Sequence, residues 1–359
     1  MVEFWTTSVG RPDSVVRAAV QAEERGWDGF GTPYAPTMAF DPYVVLSAVA
    51  RETSRLQVAP WVATPASHTP ASAAGSIKSV QALSGGRAIL GLGRGDSAMA
   101  YLGMAPAPLK FFEAYTSRLR NYLQDEPQPF DLDLDGGGHF PPVDRLGLAQ
   151  TAKQARFGLF MKGIESVPLD LVGTGPRVLG IAARHADRVT TAVGADPARV
   201  AWAVGVVREA REAAGVTRPV SLGSWVPVAV TDDLAVGRQM LSGTATSMAR
   251  FTAMYGKVVA PVSDSDREVY ERIHDTYTLA GHFREGSEQS KVVPDDFFDR
   301  FAVIGPPEVC IQRLRALADL GIERFVISGP ASGPSASSTP EQAERGIRQF
   351  EEEVMPALR

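Results

Sequence analysis

The sequence predicts a (β/α)8 barrel with insertions. Eight short apolar runs alternate with segments of helical spacing, several of the runs end in glycine turns, and 359 residues suffice for one closed barrel with extra segments. A doubly wound open sheet is the alternative reading of the same alternation.

The first run is VEFWTT (2–7). Behind it Val15, Ala18, Ala19 and Ala22 fall at i, i+3, i+4 and i+7, with Asp13 and Ser14 as cap candidates and Gly26 as the stop. GFGTP (29–33) is the second run, followed by a helix at about 42–53. LQVAPWV (56–62) is the third, followed by a helix at about 70–83, and AILGLG (88–93) is the fourth. The stretch 123–167, with DEPQPF and DGGGHFPP inside it, exceeds ordinary loop length and reads as an insertion after the fourth strand. LDLVG (169–173) and RVTTAV (188–193) come next. A helix at 197–214 then places Val200, Val204, Val207 and Ala210 on one side and ends at Gly215. VSLGSWVPVAV (220–230) is the seventh run. The segment 232–299 has helical character but belongs to no strand, so it reads as a second insertion. A helix at 306–320 leads to RFVISG (324–329), the eighth run, and a helix at 340–354 closes the pattern. Between these last two, GPASGPSASSTP (329–340) is small and polar and is expected to be mobile. The whole of 1–359 therefore reads as a single barrel domain whose insertions follow strands four, seven and eight, on the face where barrel active sites form.

Composition narrows the function. A formal net charge of -5 argues against a non-specific nucleic-acid binder, which needs surplus Lys and Arg. Cys310 is the only cysteine, which excludes an internal disulfide and Cys-rich metal centres and fits a reducing cytoplasm. The start, MVEFWTTSVG, does not read as a signal peptide, and no apolar run is long enough to span a bilayer. No His, Asp and Glu set has metal-ligand spacing, so no metal is expected.

Three turns carry the chemistry. RAILGLGRGDSAMAYLG (87–103) follows the fourth strand; Gly91, Gly93 and Gly95 remove side chains where the strand ends, and Asp96 and Ser97 stand at its mouth. A flat or phosphorylated ligand could there touch the main chain, although glycines that merely turn the chain would look the same. A dinucleotide fingerprint would normally occupy the first strand–helix turn, which weakens that reading. In LVGTGPRVLG, Gly173, Thr174, Gly175 and Pro176 lie between a strand and a helix that Pro176 can start. AVGADP (192–197) repeats the device with Gly194 and Ala195.

Together GRAILGLGRGDSA, GTGP followed by AARHADRV, and VGADP resemble the luciferase-like flavin and deazaflavin oxidoreductases, in particular the methylenetetrahydromethanopterin reductase-like branch that uses coenzyme F420. The resemblance runs from FWTTSVGRPDS near the start to FAVIGPPEVCIQRL near the end. It implies a (β/α)8 barrel, a cytoplasmic homodimer, and hydride transfer between F420 and a small organic substrate. FMN, in a luciferase-like monooxygenase, is the alternative cofactor. Carried over by position, PWVATP (60–65) matches the end of the third strand. The family often has a non-prolyl cis peptide there, which falls on Trp61–Val62, and Thr64 joins them on the ring side. Arg94, Gly95, Asp96 and Ser97 match the loop near the ring and phosphate linker. Gly173, Thr174, Gly175 and Pro176 match the phosphate turn, and Gly194 and Ala195 a further tail contact.

One departure bears on the reaction. After the second strand relatives often carry Asp followed by His or Ser, whereas this chain has Tyr34 and Ala35. The imidazole is gone from that position, so the proton donor falls to Asp96, Tyr34, His68 or His282, or the barrel binds cofactor without turnover. His185 beside Asp187 reads as a packing residue, and His139 and His274 decide nothing. Trp61 and Trp225, near strand ends, could stack on a flat ring or simply fill the core.

Overall fold

A computed structural model describes residues 2–333 and 335–359; Pro334, inside the small polar segment 329–340, lies outside them. Nine strands form among the described residues: β1 (Glu3–Thr7), β2 (Gly29–Thr32), β3 (Gln57–Pro60), β4 (Leu90–Leu92), β5 (Leu169–Gly173), β6 (Arg188–Thr191), β7 (Ser221–Val230), β8 (Val303–Gly305) and β9 (Arg324–Ser328). Their order is β3-β2-β1-β9-β7-β6-β5-β4, with β8 on β7. Parallel bridges Val58↔Ala88 and Ala63↔Leu92 join β3 to β4 and close the ring, so this is the (β/α)8 arrangement.

The strand absent from the sequence reading is β8. At ten residues, β7 outruns β9: Gly223–Pro227 pair with Arg324–Ser328, and from Val228 onward the ladder passes to Val303–Gly305. A three-residue strand after a long insertion has too few residues to show a period.

Helix starts follow local chemistry. Pro42, Pro70, Pro176, Pro197, Pro307 and Pro340 all sit in first turns, where the missing N–H is not needed. Asp41 accepts from the Tyr43 and Val44 amides, Thr69 from Ser72, Asp196 from Ala198, and Thr339 forms a capping box with Gln342.

The described chain divides into two compact units, 2–8 with 21–30 and 171–359, and 9–20 with 31–170. In the first, Arg324 is fully buried and donates to Ser221 Oγ and Thr190 Oγ1, both at 3.0 Å. Gly223 leaves it room, since a Cβ there would stand 2.8 Å from the guanidinium. Glu3 pairs with Arg188 at 2.7 Å, so the N-terminal strand ends of this unit carry a polar plug. The segment 232–299 is helical as read. Leu234–Arg250, Asp264–Thr276 and Asp295–Phe301 bury Leu241, Met248, Tyr270, Ile273, Phe297 and Phe301 together.

In the second unit, Pro42–Glu52, Pro70–Ser84 and Leu109–Leu123 accompany β3 and β4. The stretch after them is more built than its composition suggests. Fully buried Lys78 pairs with Asp125 at 2.9 Å, Tyr122 donates to Asp135 at 2.7 Å, and Arg118 pairs with Asp135 as well. Among the described residues no helix is long and apolar enough to cross a membrane.

Candidate active site

In the second unit, the C-terminal ends of β2, β3 and β4 are laced together by main chain. Trp61 N–H donates to Thr32 O at 2.8 Å, Ala63 N–H to Gly91 O at 2.9 Å, and Gly93 N–H to Ala63 O at 2.9 Å. The Trp61–Val62 peptide bond is cis, where the resemblance placed it. Trp61 is only 3% exposed and Thr64 equally buried. Gly91 is required by packing, because a Cβ would lie 2.4 Å from Pro60 O. Gly95 has φ +84°, and its Cβ would strike Met99 at 2.4 Å. Gly91 thus lets backbone approach backbone and Gly95 makes room for the Met99 side chain, whatever else they serve.

Beyond β4, Arg94 Nε donates to Ala107 O at 2.7 Å while the Ala107 amide returns to Arg94 O at 3.1 Å, which pins the base of the loop. Asp96 occupies the cap position of Ser97–Ala100, but its carboxylate makes no capping hydrogen bond. The simple helix-cap reading of Asp96 is therefore not what the geometry shows.

Tyr34, after β2, and His68, after β3, meet in this same unit. The Tyr34 hydroxyl lies 3.3 Å from His68 Nδ1. Tyr43 packs edge-on to His68 at 5.3 Å, and Tyr115 donates to the His68 carbonyl at 2.9 Å. Burial raises the Tyr34 pKa, with Asp41 adding to the rise and Ser67 opposing it. Burial lowers the His68 pKa, against the pull of Asp41. Tyr43 and Tyr115 are pushed up by burial as well. Sequence reasoning did not bring Asp41, Tyr43 or Tyr115 to this place. Their signal was slight: a cap before PYVV and one aromatic on a helix face.

In the first unit, Gly175 caps the ten-residue helix Pro176–His185 without any side-chain hydrogen bond, and nothing stands within 4 Å of a Cβ built on it. Thr174 Oγ1 donates to Phe251 O at 3.2 Å, and Trp225 packs on Phe251 at 6.5 Å. A helix N-terminus whose amides no side chain serves is suited to an anion. The next turn differs. Gly194 and Ala195 are buried, a Cβ on Gly194 would lie 2.6 Å from the Phe301 ring, and the Ala195 amide donates to Phe301 O at 2.8 Å. Their observed contacts are with the protein itself. His282 stands in this unit too, bonded through Nδ1 to the Tyr277 hydroxyl, which also donates to Ser247. Its ring meets Phe283 edge-on at 4.5 Å. Among the described residues no cluster of three His, Cys, Asp or Glu could hold a metal.

The model of the luciferase-like monooxygenase family matches residues 3–324. The chain belongs to that family. It is an oxidoreductase by that membership, and both coenzyme F420 and FMN fit the family. The 5,10-methylenetetrahydromethanopterin reductase of Methanolobus tindarius is 25% identical over 82% of this chain and 83% of its own. The F420-dependent glucose-6-phosphate dehydrogenase of Amycolatopsis mediterranei is 24% identical over 97% and 95%. The structure of the coenzyme F420 dependent tetrahydromethanopterin reductase from Methanopyrus kandleri superposes with a TM-score of 0.75 at 18% identity, covering 100% of this chain and 99% of that one. That likeness shows the fold.

Proposed function

We propose that this oxidoreductase transfers a hydride between coenzyme F420 and a small organic substrate. The observation that carries the reading is the Gly175 helix start. Asp41, Thr69, Asp196 and Thr339 each cap their own helices, whereas the Pro176–His185 helix, like Leu109–Leu123 and Pro307–Ala318, has no side-chain cap; its Gly-Thr-Gly turn with open space beside Gly175 is what suits it to an external anion. Both F420 and FMN bring a phosphate, and the F420-dependent relative that spans 97% of the chain favours the deazaflavin. Thr174, Gly175 and Pro176 are proposed to hold the phosphate. Trp61, Val62, Thr64, Gly95, Asp96 and Ser97 are proposed to face the ring, with Arg94 fixing their loop through Ala107. Bound deazaflavin supplies a two-electron hydride carrier. This chain's residues orient it, exclude water and manage the accompanying proton. A cytoplasmic homodimer is the proposed setting.

The test is an anaerobic assay of F420 against alcohols, aldehydes, enones and imines, followed by visible absorbance. Protein-dependent oxidation or reduction of F420 with at least one class is expected. Silence with F420, together with oxygen uptake driven by reduced FMN, would overturn the proposal in favour of the monooxygenase alternative. Silence with both, despite tight cofactor binding, would mark a binding barrel without turnover.

A further inference from the structure

We propose that Tyr34 and His68 form one proton-handling pair, in which Tyr34 delivers the proton that accompanies hydride transfer and His68 restores it. The inference rests on the hydride-transfer reading above. Reducing a C=O, C=N or C=C bond consumes a hydride and a proton, and in the reverse direction both are returned. Tyr34 follows β2 and His68 follows β3, and the two strand ends bring phenol and imidazole together. At 3.3 Å from Nδ1, the Tyr34 hydroxyl is within long hydrogen-bond reach of the ring.

The surroundings fix what each partner can do. Burial keeps the Tyr34 phenol protonated through the physiological range, so the donor stays loaded. Burial also keeps His68 neutral near pH 7, so one ring nitrogen donates while the other accepts. Tyr43 holds the ring edge-on and Tyr115 fixes the carbonyl behind it. Asp41 is the charge facing both members, and its Oδ1 is already shared by the amides of Tyr43 and Val44. Half-buried Tyr34 and His68 both retain access to solvent or substrate. In the reducing direction the Tyr34 O–H bond breaks as the new substrate O–H, N–H or C–H bond forms. The His68 Nδ1–H proton passes to the phenolate oxygen as water protonates Nε2, and exchange with water (Nε2–H lost, Nδ1 reprotonated) returns the ring to its starting tautomer. One solvent proton is consumed per hydride. Tyr34 touches the substrate; His68 acts through Tyr34 and is a positioning and resupply residue.

The test joins spectroscopy of the cofactor-free protein with kinetics. In 15N-histidine-labelled protein, with the His68 ring assigned through His68→Gln, Tyr34→Phe should change the ring shifts and tautomer balance of His68 and leave the other histidines unmoved. With F420, Tyr34→Phe should lower turnover about a hundredfold or more while cofactor affinity stays within about twofold. His68→Gln should cost about tenfold and remove the acid limb of the pH profile, and the double variant should be no worse than Tyr34→Phe alone. His68 shifts indifferent to Tyr34→Phe, turnover of Tyr34→Phe within about threefold of the parent, or additive losses in the double variant would each overturn the pair. A protein that turns over F420 with Tyr34→Phe fully active refutes this assignment alone. One that neither binds nor turns over F420 refutes the function it rests on.

Discussion

Asp96 shows how one side chain separates stability from chemistry. It occupies a cap position yet serves no backbone amide of its short helix. Replacing it with Ala should therefore remove no helix cap, whereas Asp196→Ala, which removes a 2.8 Å bond to the Ala198 amide, should cost about 1 kcal/mol. Chemical denaturation of Asp196→Ala checks the second point; an unchanged midpoint would contradict it. GRGDSA marked the residue as unusual in the sequence, and no spacing rule could say that its carboxylate leaves the cap unfilled. The Tyr34–His68 contact was illegible for a related reason. The residues are 34 positions apart on separate strand ends, so each was visible only as a single candidate. Gly194 shows the reverse: its turn looked like the one at Gly175, but the space above it is filled by Phe301, which arrives from 107 residues downstream.

At the level of elements, strand ends and helix starts decide which turns are open to a ligand. The sequence shows where each begins, because proline in a first turn and the preceding cap residue are local signals. It does not show which caps are left unfilled by the fold. Gly175 has φ -98° and ψ 154°, extended backbone that any residue adopts, with open space beside it. Gly175→Asp should thus fold normally and hold or gain a few tenths of a kcal/mol by capping its own helix. The same carboxylate would repel a phosphate, so F420 affinity should fall about tenfold or more, read by fluorescence titration. Unchanged affinity in a folded variant would remove the phosphate from this turn. The handover from β9 to β8 along β7 escaped the sequence pattern because strand pairing is non-local, while the run VSLGSWVPVAV was plain as one long strand.

For the molecule as a whole, alternation of apolar runs and helical spacing was enough to give the (β/α)8 class, because that pattern is repeated eight times. What stabilises the strand starts of the first unit was not, since Arg324, Thr190, Ser221, Glu3 and Arg188 come from four distant strands. Burial would raise the Glu3 pKa, but Arg188, its hydrogen bond and Arg324 together hold it below the ordinary 4.5. A carboxylate with a lowered folded pKa contributes stability above its unfolded value, and that contribution fades as pH falls through the folded one. Stability should accordingly decline on acidification below about pH 4.5, and Glu3→Gln should be less stable at neutrality with a shallower acid decline. Parallel pH–denaturation curves for the two proteins would check it; identical acid slopes would contradict it. Cofactor choice can be read from side-by-side titration of the purified protein with F420 and with FMN. Saturable F420 binding with a dissociation constant of about 1 µM or tighter, stronger than that for FMN, is the predicted result. FMN preferred by about tenfold, a difference of roughly 1.4 kcal/mol, would instead make this a flavin enzyme.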